Sequence, residues 1–221
     1  TLGQGSGDGV PFAKFLASGG NIPGIKVDKG AKPLALYPSE KVTEGLDGLR
    51  ERLAEYKQLG AKFAKWRAVI QIDGQDIPTT YAMHANARAL ARYAALCQEA
   101  DIVPIVEPEV LMDGAHSIDR CEAVTSRMLE CVFTELDAQR IVFDGMLLKP
   151  NMVIAGMQCT HQASTQQVAA ATIRCLSRYV PAAVQGIVFL SGGQRAEDAT
   201  DHLNAINNTN GLHPWQLGFS Y

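Results

Sequence analysis

The sequence has few charged residues, few aromatic residues and no excess of positive charge. Of its 221 residues, 19% are charged and 7% are aromatic, and 20 Lys and Arg stand against 23 Asp and Glu. The resulting net charge of −3 provides no overall positive field for binding nucleic acid. The sequence also lacks an apolar run of the roughly 20 residues that a membrane-spanning helix needs. We therefore expect a cytoplasmic protein with no nucleic-acid partner and no membrane partner.

Cysteine and histidine lack the spacing that structural or metal sites require. The five cysteines are odd in number and include no C-x-x-C pair, which argues against a disulfide framework and a zinc finger. The five histidines are scattered, without the spacing of a helical metal motif. We expect buried, reduced thiols, no metal and no cofactor.

Short apolar and β-branched runs recur along the chain and predict strands. The runs cover residues 22–27, 63–69, 102–106, 145–148, 187–190 and 215–219. Segments with helical periodicity lie between them, including one with Leu46, Leu49 and Leu53. Ser164 followed by Gln167 is a capping box, which predicts a further helix start.

Polar residues lie at the carboxyl ends of these strands, and their positions distinguish a barrel from an open sheet. Strands that are apolar on both faces and alternate with helices predict a parallel sheet in either form. At the carboxyl ends of five runs, at intervals of 39 to 42 residues, are Lys26, Lys65, Glu107, Lys149 and Ser191. Only in a (β/α)8 barrel do all strand ends converge on one site. We therefore predict an α/β fold of the (β/α)8 TIM-barrel type.

The strand count predicts one domain over residues 1–221. A closed barrel has eight strand–helix units, and about six are recognisable here. We expect these to be units three to eight, with the first two units and a C-terminal tail outside this sequence.

Two cations on one strand and two carboxylates on the next are candidate site residues. Lys65 and Arg67 share a strand face because side chains alternate. Charges in a barrel interior are costly unless they are paired or used, so these residues neutralise interior carboxylates or serve a reaction. Glu107 and Glu109 fit a general acid/base pair or salt bridges to the two cations, and these roles can coexist.

Lys149 ends an apolar run and is followed at once by Pro150, which fixes the local backbone. Burial disfavours a charged ammonium, and the neutral amine is the form that attacks a carbonyl to make a Schiff base. The alternative is a lysine that extends outward from the strand end into solvent.

The segment Ser191, Gly192 and Gly193 follows an apolar strand and precedes a helix predicted to begin near Gln194. Exposed backbone N–H groups and a hydroxyl at such a position bind phosphate, although a plain turn has the same composition.

The candidate residues together give the predicted strand ends a positive balance. Four cations face three carboxylates there when Lys26 and Asp28, which share a strand face, are included. A positive cleft on an acidic protein indicates an anionic ligand, and we expect a phosphorylated small molecule.

Six segments resemble class I fructose-1,6-bisphosphate aldolase. They are GIKVDKG (24–30), FAKWRAV (63–69), VPIVEPE (103–109), LLKPNMV (147–153), FLSGGQ (189–194) and FSY (219–221). The resemblance implies a metal-independent, cofactor-free lyase of glycolysis and gluconeogenesis. Its substrate would be fructose 1,6-bisphosphate, cleaved reversibly to dihydroxyacetone phosphate and glyceraldehyde 3-phosphate. It further implies a homo-oligomer, a tetramer.

The resemblance also implies a role for each catalytic candidate. Lys149 would form the Schiff base, and Lys65 would keep its amine neutral. Glu107 would move protons during imine formation, and Glu109 would position the lysines. The resemblance further implies that the substrate binds at Lys26, Arg67, Ser191, Gly192, Gly193 and Ser220.

Two features of the family have no counterpart in this sequence. They are an aspartate on the first strand and an arginine just beyond FSY, and we expect both to lie outside residues 1–221. Two other functions stay open: a Schiff-base aldolase for a different phosphorylated sugar, and a non-catalytic barrel that serves as a scaffold or binding protein.

Overall fold

Six parallel strands form the central sheet of the computed structural model, which describes residues 2–5, 7, 9–209 and 213–220. In spatial order they are β1 (Gly24–Lys26), β4 (Phe63–Ile70), β5 (Val103–Val110), β6 (Leu147–Leu148), β7 (Gly186–Phe189) and β8 (Gln216–Phe219). A separate antiparallel hairpin consists of β2 (Ala31–Pro33) and β3 (Lys41–Thr43).

Helices separate the strands along the chain. They are α1 (Phe12–Ser18), α2 (Leu49–Gln58), α3 (Thr80–Glu99), α4 (Ile118–Ala138), α5 (Thr165–Tyr179) and α6 (Ala196–Asn207). Within the described residues, each strand of the large sheet pairs in parallel with its neighbours. The predicted barrel-type α/β fold is confirmed. No helix in the described ranges is long and apolar enough to cross a membrane.

Strand β4 separates the hydrophobic core from the site. Ala64, Trp66 and Ala68 are fully buried, whereas Lys65 and Arg67 lie on the opposite face, as the alternation predicts. The apolar side chains of β4 therefore pack under the helices, and its cationic side chains lie on the opposite face of the sheet.

Tyr93 fixes α3 against β4 and β5. Its ring lies 5.5 Å from the ring of Trp66 between centroids. Its hydroxyl donates to the carbonyl of Ala64 at 2.7 Å. Burial raises the pKa of Tyr93 well above its ordinary value, so the hydroxyl keeps the proton that it donates.

Helix α5 begins as its sequence predicts. The hydroxyl of Ser164 accepts from the backbone N–H of Gln167 at 3.3 Å, and the Gln167 side chain accepts from the N–H of Ser164 at 2.8 Å. Thr172 of this helix accepts from the N–H of Val153 at 3.0 Å, which fixes the segment that follows β6.

Several predicted boundaries differ from the structure. Strand β1 begins at residue 24 and not at 22, and β6 has two residues because residues 143–145 form a 3-10 turn. Helix α2 starts after Leu46, since Gly48 caps it at a φ of +64°. The helix expected near Gln194 starts at Ala196, after a turn. The sequence patterns do not predict helix α3 or the β2–β3 hairpin as separate elements.

Burial sets the state of the cysteine thiols. Cys97, Cys121 and Cys175 are buried, and Cys131 and Cys159 are half-buried, all as free thiols. Burial raises the pKa of Cys97 to about 12 and that of Cys175 to about 11. These two thiols therefore stay protonated at neutral pH and act as apolar core groups.

Candidate functional site

A cleft of about 410 Å³ lies at the carboxyl ends of the sheet strands. Its lining includes Arg67, Glu107, Glu109, Lys149, Ser191, Gly192, Gly193 and Ser220. These are eight of the ten site residues that the sequence predicts. They come from five strands or their following loops, so parallel pairing brings together residues that are far apart in sequence.

Lys149 is held at the inner wall of this cleft. Its backbone N–H donates to the carbonyl of Val106 at 2.8 Å, which extends the β5–β6 pairing by one residue. Only 7% of its side chain is exposed, and its Nζ lies 3.3 Å from Oε1 of Glu107. The alternative of a lysine that extends into solvent is therefore wrong.

Glu107 lies between two lysines. Its side chain is 3% exposed, and Oε2 accepts from Nζ of Lys65 at 2.7 Å while Oε1 faces Lys149. One buried carboxylate thus contacts two amines and can exchange protons with groups on either side. Lys65 contacts the cleft through this carboxylate, although it does not line the cleft itself.

Glu109 pairs with Arg67 on the neighbouring strand. The guanidinium Nε donates to Oε2 of Glu109, and this hydrogen bond raises the pKa of Arg67. The Arg67 side chain is 43% exposed, so a permanent cation is presented to the cleft. The resemblance implies that Glu109 positions the lysines, whereas here its partner is the guanidinium. The salt bridges that the sequence left as an alternative are formed by both carboxylates.

Asp28 connects Lys26 to strand β4. Its carboxylate accepts from Nζ of Lys26 at 2.5 Å and from the backbone N–H of Arg67 at 3.1 Å. The Lys26 side chain is 51% exposed and lies outside the lining of the cleft, at the β1 edge of the sheet. The expectation that Lys26 and Asp28 share a strand face is wrong, because β1 ends at Lys26 and Asp28 lies in the segment that follows.

The Ser191–Gly193 turn forms another wall of the cleft. Gly192 and Gly193 have φ values of +60° and +84°, which side-chain-bearing residues rarely adopt. The backbone N–H of Gln194 donates to the carbonyl of Ser191 at 3.1 Å and closes the turn. Ser220 is placed beside it, since its N–H donates to Phe189 at 3.0 Å. Tyr221, the last residue of the FSY motif, lies outside the described residues.

Asn151 is a supporting residue to which the sequence analysis gave no role. It is 5% exposed, and its Oδ1 accepts from the N–H of Val110 at 3.0 Å while its Nδ2 donates to Thr125 at 3.1 Å. It therefore fixes the segment after Lys149 against the strand that carries Glu107. A polar residue inside the apolar segment that follows Pro150 was the available signal.

This arrangement can support amine chemistry on an anionic carbonyl compound. It combines a buried amine, a carboxylate in contact with it, a guanidinium, and a turn with backbone donors. In the described part of the chain, no three His, Cys, Asp or Glu side chains form a group that could hold a metal ion.

Curated relatives match the whole chain, and two of them illustrate the range of identity. A protein of Xanthomonas campestris pv. campestris named "Probable fructose-bisphosphate aldolase class 1" is 58% identical over 221 residues. "Fructose-bisphosphate aldolase C" of Carassius auratus is 51% identical over 221 residues. The chain spans 66% of the length of the first and 61% of the length of the second.

A solved structure gives the same result for the fold. Fructose-bisphosphate aldolase from Plasmodium falciparum, crystallised in complex with TRAP and a small-molecule inhibitor, superposes with a TM-score of 0.96 at 51% identity. The match covers all of this chain and 63% of that one. The model of the family described as "Glycolytic: Fructose-bisphosphate aldolase class-I" matches residues 1–221. The chain therefore belongs to the class I fructose-bisphosphate aldolase family.

Proposed function

We propose that the protein is a carbon–carbon lyase that cleaves fructose 1,6-bisphosphate reversibly to dihydroxyacetone phosphate and glyceraldehyde 3-phosphate. The observation that carries the proposal is the buried amine of Lys149, 3.3 Å from the Glu107 carboxylate in a cleft lined by further polar groups. Membership of the family and the names of its relatives support this reaction and its place in glycolysis.

In this proposal, Lys149 supplies the electron sink. Its neutral amine attacks the ketone carbon, a proton passes through Glu107 to the departing hydroxyl, and water leaves to give an iminium. The electron pair of the breaking C3–C4 bond moves into this iminium and forms an enamine, while a general base accepts the proton of the C4 hydroxyl and C4 becomes an aldehyde carbon. Protonation at C3 and hydrolysis then release dihydroxyacetone phosphate and regenerate the amine.

Lys65 on β4 and Glu109 on β5 assist this chemistry. Lys65 shares the Glu107 carboxylate with Lys149, which places a second amine in contact with the group that carries protons. Glu109 acts through Arg67, whose guanidinium it holds in place.

The phosphate groups of the substrate bind at two places in this proposal. One phosphate binds at Ser191, Gly192, Gly193 and Ser220, where glycine backbone N–H groups and hydroxyls are available. Arg67 and Lys26 supply cations for the remaining anionic charge. The two-residue spacing of Lys65 and Arg67 along β4 places an amine and a guanidinium on one strand face.

A cytoplasmic location and a homotetramer complete the proposal. Both rest on the resemblance to the family, and neither enters the argument for the site. Sedimentation equilibrium of the full-length protein measures the number of subunits.

Activity of the full-length protein tests the proposed function. We expect cleavage of fructose 1,6-bisphosphate, followed by enzymatic detection of the triose phosphates, to fall by at least about 10³-fold in Lys149→Met, since the residual rate without the nucleophile is small. Lys62→Met, an exposed lysine just before β4, is the matched control and should retain activity. Equal activity of the two variants would contradict the proposal.

A further inference from the structure

Helix α6 reaches the phosphate-binding turn through two side chains that no part of the proposed function uses. Nδ1 of His202 lies 2.7 Å from Oε1 of Gln194. Nε2 of Gln194 donates to the carbonyl of Ser191 at 3.0 Å. A chain of two hydrogen bonds thus leads from the helix to the wall of the cleft.

The chemistry of the partners fixes the direction of both hydrogen bonds. The carbonyl of Ser191 can only accept, so the Gln194 amide must present its NH₂ group to it and its oxygen to His202. That oxygen also only accepts, so Nδ1 of His202 must carry a proton. Burial lowers the pKa of His202, opposed by Asp198 and Asp201 on the same helix, which favours the neutral ring with its single proton at Nδ1.

The Ser191 carbonyl and the Gly192 N–H belong to one peptide plane. Two donors hold this carbonyl, the backbone N–H of Gln194 at 3.1 Å and its side-chain Nε2 at 3.0 Å. Fixing the carbonyl therefore fixes the direction of the Gly192 N–H. Gly192 and Gly193 have no Cβ and adopt left-handed φ values, so few steric contacts of these residues restrain the peptide plane.

We propose that Gln194 and His202 are positioning residues that aim the Gly192 N–H at the phosphate group of the ligand. This inference rests on the proposed function, because it assumes that the turn binds phosphate. His202 orients the Gln194 amide, and Gln194 orients the peptide plane. Neither side chain touches the reacting carbon atoms, so their loss should weaken phosphate binding and leave the chemical step unchanged.

Three variants of the full-length protein test this chain of hydrogen bonds. His202→Leu removes the donor, His202→Asn places an amide NH₂ near the position of Nδ1, and Asn204→Leu is an exposed control on α6. Titration calorimetry with inorganic phosphate gives the dissociation constant, and the melting temperature shows whether each variant is folded.

We expect His202→Leu to raise the dissociation constant about threefold to tenfold, the effect of one lost hydrogen bond. His202→Asn and Asn204→Leu should bind phosphate as the unmodified protein does. For fructose 1,6-bisphosphate, His202→Leu should raise KM by a similar factor with kcat unchanged.

The inference is overturned if folded His202→Leu binds phosphate normally, or if His202→Asn is impaired as much as His202→Leu. A large fall in the melting temperature of His202→Leu alone would assign the residue to stability and also contradict it. Failure of the proposed function would be seen separately, as absent cleavage in the unmodified protein whatever the phosphate titrations show.

Discussion

Glu107 and Glu109 lie two residues apart on β5 and contact different partners. We therefore expect their substitutions to have different kinetic effects. Glu107 contacts the two lysines, and Glu109 contacts the guanidinium of Arg67. In the proposed function, the first moves protons during imine formation, and the second holds a cation at the cleft. The proposal thus divides proton transfer and ligand binding between neighbouring carboxylates on one strand face.

Glu107→Gln should lower kcat by about 10² to 10⁴-fold, because an amide cannot exchange the protons that a carboxylate does. Glu109→Gln should act mainly on KM, since it leaves the Arg67 guanidinium without its partner. Steady-state kinetics of both variants of the full-length protein make the comparison. Equal losses of kcat would show that the two carboxylates are not divided in this way.

Helix α5 depends on its first turn for its start. Ser164 and Gln167 form a reciprocal capping box, and Ser164 is exposed. Ser164→Ala should therefore lower the free energy of unfolding by about 0.5–2 kcal/mol through loss of the cap alone. Denaturant unfolding measures this change, with Ser177→Ala, an exposed serine later in α5, as the control. A loss of the same size in both variants would contradict the assignment.

The contact between α4 and α5 gives the fold a pH dependence. Arg174 donates to both carboxylate oxygens of Glu122, at 2.7 and 2.5 Å, and these hydrogen bonds lower the pKa of Glu122. A carboxyl whose pKa is lower in the folded state stabilises that state at neutral pH. This stabilisation is lost as the pH falls from about 4.3, the ordinary value for glutamate, through the folded pKa.

Glu122→Gln should consequently destabilise the protein by up to about 1 kcal/mol at pH 7, the usual range for a surface ion pair. The difference from the unmodified protein should shrink in acid, below the pH at which Glu122 is protonated. Urea unfolding of both proteins, at pH 7 and at an acidic pH, gives the difference in the free energy of unfolding at each pH. A destabilisation that stays constant with pH would show that packing, and not charge, accounts for the effect.

At the scale of the whole molecule, an acidic protein presents cations at the ligand site. The net charge is −3, yet Arg67 and Lys149 line the cleft, and Lys26 lies outside its lining at the β1 edge of the sheet. Raising the ionic strength should raise KM more for a bisphosphate substrate than for a monophosphate, because salt screens each phosphate contact. Lys26→Ala should reduce this difference. If salt raises KM equally for both substrates, in the unmodified protein and in Lys26→Ala, the proposal of two phosphate sites is contradicted.

Much of the fold and of the site could be predicted from local sequence. Strict alternation along β4 predicted which face carries Lys65 and Arg67, and the capping box predicted the start of α5. Helix α3 was not identified individually. Alanines contribute many of its buried positions and give a weak apolar signal.

The salt bridges of Glu107 and Glu109 to the cations of β4 could be predicted as an alternative, but other partners between distant segments depend on tertiary packing and could not. Asn151, just after β6, contacts β5 and α4, and His202 contacts the turn at Ser191 through Gln194. Each contact joins residues whose spacing in sequence carries no periodic signal. The predicted start of α6, near Gln194, precedes the observed start at Ala196, because both the turn and the first turn of the helix contain polar residues.

Covalent trapping shows directly whether Lys149 is the nucleophile. Borohydride reduction of the full-length protein with dihydroxyacetone phosphate, followed by peptide mass mapping, identifies the amine that forms the imine. We expect a single modified lysine, Lys149, and no labelling in Lys149→Met. Labelling of Lys65 or Lys26 in place of Lys149, or no labelling of the unmodified protein, would contradict it.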